Sequence, residues 1–265
     1  MLRAFMSQWV ALRRPRLLLG VVGAMVAAAA VATAIAVSTA GTASGTSLPP
    51  AATASTLADV ASASGIATGI GGASALLGAI ALAVAASIVA AEFSNGTIRT
   101  LLIREPRRTR LMAGRWMAIG SLVALAAGAA VLTSIAVAFV AARSRGIDTS
   151  LWTSPDGLRA AGGALIWTPA SAVGYAALGA ALGALLRSPG LSVGVGLAWV
   201  LPIESILASS WEQAGDLLPG RLLNALAQGG TGDVTLAVAA GGAAVWAVGL
   251  AAGACTAFAR RDVVS

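Results

Sequence analysis

Charge along this chain comes in short bursts, and between the bursts lie uncharged runs long enough to cross a membrane. A helix needs ~20 apolar residues to span a hydrocarbon core ~30 Å thick. Between Asp59 and Glu92 stand 32 uncharged residues, and other runs are of similar length. The pattern predicts spans at Leu17 to Val37, Gly65 to Ala91, Trp116 to Ala142, Ala160 to Leu186, Pro189 to about Ser210, and Val234 to about Ala259. The fifth follows the fourth through a very short turn, Arg187-Ser188-Pro189.

The intervals between spans differ in kind. Residues 1–16 place Leu2, Phe5, Met6, Trp9 and Val10 at helical spacing and end in Arg13, Arg14 and Arg16, the pattern of an amphipathic helix lying on the membrane surface. A secretory signal also begins with charge, but its apolar core is ~7 to 15 residues, shorter than the run that follows here. The stretch from span 1 to about Ser64, rich in Ala, Ser, Thr and Gly with Pro49, Pro50 and the lone Asp59, has no periodicity to bury and reads as a mobile external loop. After span 5, Leu218, Leu222 and Leu226 at i, i+4 and i+8 predict an external helix lying flat on the membrane or dipping into it.

Composition agrees with one polytopic domain over residues 1–265, all-α, with six transmembrane helices. Apolar residues make up 58% of the chain and charged residues 10%, against ~25% charged in a soluble domain. The chain contains no His and no Lys, and its one Cys is Cys255. A Walker loop needs its Lys, a zinc site usually needs His or Cys clusters, and intrachain disulfides need a second Cys. No cofactor is therefore expected on this chain. Its 17 basic residues are all Arg, which with the Ala and Gly richness suits a high-GC bacterial genome and a bacterial cell membrane. They are sorted by position and not gathered with aromatics, so nucleic acid is not an expected partner.

With the N-terminus in the cytoplasm, 13 Arg fall on that side and 4, namely Arg143, Arg145, Arg159 and Arg221, on the other. The positive-inside rule then puts both termini in the cytoplasm and favours an even number of spans. Trp9, Trp116, Trp152 and Trp211 fall where an interfacial belt is expected. Gly179-x-x-x-Gly183 and Gly249-x-x-x-Gly253 have the spacing that lets helices approach closely, within one chain or between two, although such spacings also arise by chance in a Gly-rich sequence.

The informative interval is 92–115, between spans 2 and 3. Ser94, Asn95, Gly96 and Thr97 form a breaker and cap cluster, and a short helix from Ile98 to about Arg104 should stop before Pro106. On that helix Ile98, Leu101 and Leu102 share a face, with Arg on other sides. A short capped helix with a small apolar face suits a ball entering a partner's socket. On charge alone the interval equally suits a basic loop resting on anionic lipid.

The order Glu92-Phe93-x-x-Gly96-Thr97-x-Arg99-x-Leu101-Leu102-x-x-x-Pro106-x-Arg108 closely resembles the pattern that follows the second span in type-2 ABC transporter permeases. The ending Phe258-Ala259-Arg260-Arg261-Asp262-Val263 is similar to how these permeases finish. Length, span number, the amphipathic start and the short turn between spans 4 and 5 fit as well, so the resemblance covers essentially the whole chain. One departure is Arg115, where a Lys is common. The resemblance implies a complex of two permease chains and two ATPases, with ATP and magnesium held by the ATPases. The short cytoplasmic helix would couple ATP-driven motion to the spans, usually for export. Lacking Lys, the chain would in any case leave nucleotide binding to another polypeptide.

Span 5 carries the other candidate, Glu204, two residues after Pro202. Two readings stand. In one the helix, kinked by Pro202, carries Glu204 ~22 Å along its length to an outer gate or substrate path. In the other span 5 ends near Ile203, and Glu204 sits among headgroups. An alternative to the ABC reading is a secondary transporter driven by an ion gradient, which normally carries several intramembrane ionisable groups and related broken helices. Only Glu204 qualifies. A membrane enzyme would need a metal cluster or paired acids near one interface, and the spans contain neither.

Overall fold

The computed structural model describes residues 15–41, 56–95, 108–211 and 216–260. It is all-α. Helices α1 (Pro15–Thr39), α3 (Thr68–Ser94), α4 (Arg108–Ser144), α5 (Pro155–Leu186) and α9 (Leu236–Arg260) are long single helices. A sixth is composite, made of α6 (Pro189–Ala198), a π turn (Trp199–Ile203) and α7 (Glu204–Ser210). These six are long and apolar enough to cross a membrane. Shorter pieces are α2 (Leu57–Ala61), a 3-10 turn (Ala63–Ala67), a 3-10 turn (Ser150–Thr153) and α8 (Pro219–Ala227). The amphipathic helix expected over residues 1–16 falls almost wholly outside the described residues.

The bundle is built on small residues. Alanines dominate its buried interior, and its largest fully buried side chains include Tyr175, Met25, Leu77, Leu82 and Ile119. Large apolar side chains such as Leu19, Val140 and Val245 are instead more than 70% exposed, as expected where the solvent is lipid and helices associate by close packing. The tightest seam joins α3 to α5. A Cβ on Gly179 would overlap the backbone of Leu82, one on Gly183 would press on Ala86 and Ala90, and one on Gly78 would meet the Tyr175 ring. The Gly179-x-x-x-Gly183 spacing thus serves packing within the chain, whereas Gly249 and Gly253 on α9 have nothing within 4 Å.

Polar contacts fasten the helices at chosen points. The Thr33 and Ser134 hydroxyls meet at 2.5 Å between α1 and α4. Arg145 Nη1 donates to the carbonyls of Val37 and Ala40, at 2.5 and 3.0 Å, satisfying acceptors that the end of α1 leaves open.

Several sequence expectations are corrected. The last part of the loop expected to run without structure to Ser64 is ordered. Thr56 and Asp59 form a reciprocal capping box that starts α2, and Val60 is buried. The Asp59 carboxyl is held below its usual pKa because it accepts the Thr56 backbone N–H and is also bonded to the Thr56 hydroxyl. Trp152 does not face outward as a belt residue would. It is fully buried, donates Nε1 to the Val60 carbonyl at 2.9 Å, and meets Phe139 edge-on at 4.9 Å. An indole taken out of solvent needs such an acceptor. Helix ends also move. The interval 92–115 is partly helix, because α3 runs on to Ser94 and α4 already begins at Arg108. Charge limits how deep a helix sits in a membrane, but Arg and Glu are good helix formers and do not end it.

Candidate functional site

The two regions singled out by sequence lie at opposite ends of the bundle. At the Arg-rich end, the last turn of α3 presents Glu92 and Phe93 side by side. Glu92 Oε1 is paired with Arg115 Nη2 of α4, with only 18% and 11% of the two side chains exposed. Burial makes such a pair geometrically specific, since either charge alone would be costly there. Phe93 meets a second cation of this end. The Arg187 guanidinium lies over its ring, 5.3 Å from the centroid.

Arg187 stands in the turn between α5 and α6. Its N–H closes α5 by donating to the Gly183 carbonyl at 3.0 Å, and its φ of 56° is the left-handed value usual for a C-terminal glycine. The structure thus joins Glu92 and Phe93 to Arg115 and Arg187. Gly96, Thr97, Ile98, Arg99, Leu101, Leu102 and Pro106 lie outside the described residues, and Arg108 opens α4. Sequence reasoning left Arg115 as a departure from a common Lys and Arg187 as a turn residue. The available signal was that each is an isolated charge beside an apolar run.

At the far end the helix continues through Pro202. A proline has no N–H to donate, and a π turn absorbs the defect, with the Glu204 N–H reaching back to the Trp199 carbonyl. Glu204 therefore lies inside the span-length helix Pro189–Ser210, which does not end at Ile203, and the residue is buried against protein, 2% exposed. Its carboxylate meets the N-terminus of α8. Oε1 accepts the Gly220 amide at 3.0 Å and Oε2 the Arg221 amide at 3.1 Å. These donors have no partner within their own helix, and the helix dipole favours a negative charge at that point. Gly220 leaves room for this contact, since a Cβ there would push the carboxylate aside.

The Leu stripe that predicted α8 is in place, with Leu222 and Leu226 buried against protein. Hydroxyls from α5 bind its backbone: Tyr175 to the Gly220 carbonyl at 2.8 Å, Ser171 to that of Leu223 at 2.6 Å, and Thr168 to that of Ala227 at 3.3 Å. Ser74 of α3 donates to Asn224 Oδ1 at 2.5 Å. Sequence reasoning missed these anchors. Tyr175 is the only Tyr in the chain, and a hydroxyl in an otherwise apolar span was the signal to follow.

Between α8, the π turn and residues 231–234 ahead of α9 lies a cavity of about 810 Å³. Tyr175, Pro202, Glu204 and Asn224 line it together with apolar Val200 and Ile206. Arg221 and Asp233 add charge to the lining, and a compartment of this size with mixed apolar and polar walls is of ligand dimensions. Among the described residues no group of three or more His, Cys, Asp or Glu could hold a metal ion. Compared with known proteins, the chain matches no family model and no curated protein.

Proposed function

We propose that this polytopic membrane protein is the transmembrane subunit of an ATP-driven ABC exporter, working with a second permease chain and with a separate ATPase that binds ATP and magnesium. The Arg-rich end faces the cytoplasm with both termini, and the end bearing Glu204 and the cavity faces outward. The observation that carries the reading is the segment 92–108, whose residue order resembles the coupling element of type-2 permeases and whose first residue is pinned to Arg115. An element that passes force needs a fixed base, and a buried ion pair supplies one. The lack of any Lys adds support, since hydrolysis must then reside in another chain. The ion-gradient alternative calls for ionisable groups along the spans. Among the described residues, charges within the long helices stand near helix ends, Glu204 excepted.

The test is docking. If Leu101 and Leu102 fill a socket on the ATPase, truncating both to Ala removes ~2 to 4 kcal/mol of interface packing and weakens association by tens-fold or more. The double variant should insert normally yet lose copurification with its ATPase partner, and ATP-driven transport with it. Normal copurification, stimulation and transport together would overturn the assignment.

A further inference from the structure

Arg187 occupies a position that local stability does not account for. It is the only non-glycine residue with positive φ among those described. A glycine would adopt this backbone without steric cost. The chain instead places there a long side chain whose Nε is buried with no hydrogen-bond partner among the described residues. What the side chain does make is the contact over Phe93, across from α5 to the last turn of α3. Strain of this kind persists where the surrounding structure uses it.

The neighbouring residue shows to what use it can be put. Among the described residues, Glu92 and Phe93, consecutive on α3, meet cations from two other elements, Arg115 from α4 and Arg187 from the α5–α6 turn. Arg115 stands seven residues into α4, which begins at Arg108. The ion pair therefore joins the facing ends of α3 and α4, and the cation–ring contact joins the α3 end to the next element. Only Ser188 separates Arg187 from α6, so a displacement of the α3 end has no slack before it reaches that helix. The α6–α7 helix then runs the length of the bundle to Glu204, which holds the N-terminus of α8 beside the cavity. Its buried side chains are few, Ser192 and Glu204, with Gly196 packed on Leu82. A helix so lightly embedded can shift as a body.

The geometry points to Arg115 and Arg187 as positioning residues that tie the facing ends of α3 and α4 to the α6–α7 helix, so that movement of those ends is passed to that helix and to the far-end cavity. This rests on the exporter reading and names the route through the chain. Neither arginine needs to touch nucleotide, ATPase or cargo.

Arg187→Gly separates this role from a structural one, because it relaxes the backbone while deleting the contact. In the complex with its ATPase, Arg187→Gly should keep the thermal midpoint at or above that of the parent and keep ATPase copurification. ATP-driven transport should nevertheless fall about tenfold or more, while Arg187→Lys, which retains a cation over the ring, loses much less. Transport by Arg187→Gly within about twofold of the parent overturns the proposal, as does a loss of transport that merely follows a lowered midpoint.

A second arm uses the chain alone in lipid nanodiscs and needs no ATPase. Arg115→Gln should speed amide exchange about fivefold or more at residues 187–192 as well as at the facing ends of α3 and α4. Faster exchange confined to α3 and α4 means that the two contacts do not act together, and sinks the route. Should the parent chain recruit no ATPase, the exporter reading fails, and the exchange result still decides whether the bracket exists.

Discussion

Replacing Glu204 by Gln removes a charge while changing shape little, and the cost follows from two hydrogen bonds. The carboxylate accepts the Gly220 and Arg221 amides at 3.0 and 3.1 Å. Bonds to an ionised group contribute ~1.5–3 kcal/mol each, and a charge at a partly buried helix end adds up to ~2 kcal/mol. Desolvating the carboxylate offsets several kcal/mol of this gain. A Gln accepts through one oxygen only and turns its NH2 toward the second amide, leaving a buried donor unpaired at ~1–3 kcal/mol. The desolvation penalty disappears along with the charge, so the net loss falls near ~1–3 kcal/mol, or about five- to 150-fold in the equilibrium that lifts α8 from its seat. Hydrogen exchange in nanodiscs measures that equilibrium directly. Amides of Pro219–Ala227 should exchange faster by this factor, while those in the middle of α3 and α5 stay as they were. In the exporter, transport should fall with ATPase assembly and basal hydrolysis retained. Unchanged exchange at Gly220 and Arg221 would refute the energetic reasoning, and unchanged transport would leave Glu204 as an anchor with no part in the path.

Gly179→Leu should destabilise the chain by several kcal/mol, because its side chain must displace the Leu82 backbone, whereas Gly249→Leu, with open space around it, should leave the thermal midpoint nearly unchanged. In a background lacking Cys255, single cysteines at Ser44, Ser154 and Gly232 should all react with an impermeant maleimide from outside the cell, and protection of any one would break the six-span topology. Asp59 has a pKa lowered by its bonds to Thr56, so its contribution is present above the ordinary carboxylate range and is lost as pH falls through the lowered value. Exchange of the α2 amides should accordingly rise on acidification below about pH 4, and Asp59→Asn should abolish the step.

Span number and order were legible in the sequence because an uncharged run of span length has few other uses. Helix ends were not: Arg108, Arg110 and Arg115 mark where a membrane span begins, yet α4 starts at the first of them, since a charged helix projecting from a bilayer remains a helix. The loop before Gly65 concealed a local signal that was present, Thr56 three residues before Asp59. At the site, Glu92 and Glu204 stood out as acids next to or within apolar runs, and the Leu stripe announced α8. Their partners did not, because Arg115, Arg187 and the hydroxyls of Tyr175 and Ser74 reach them across tens to more than a hundred residues of chain. Nothing periodic records such meetings.

The seam between α3 and α5 also has a consequence for how the sequence can drift. Gly78 is hemmed in by a side chain, the Tyr175 ring, so an Ala arising there can be accommodated by a smaller residue at 175. Gly179 is hemmed in by the backbone of Leu82, which every residue type carries alike. No second substitution can make room for it. Among descendants of this chain, position 78 can change only together with 175, at the cost of the Tyr175 anchor on α8, while position 179 can only stay as it is.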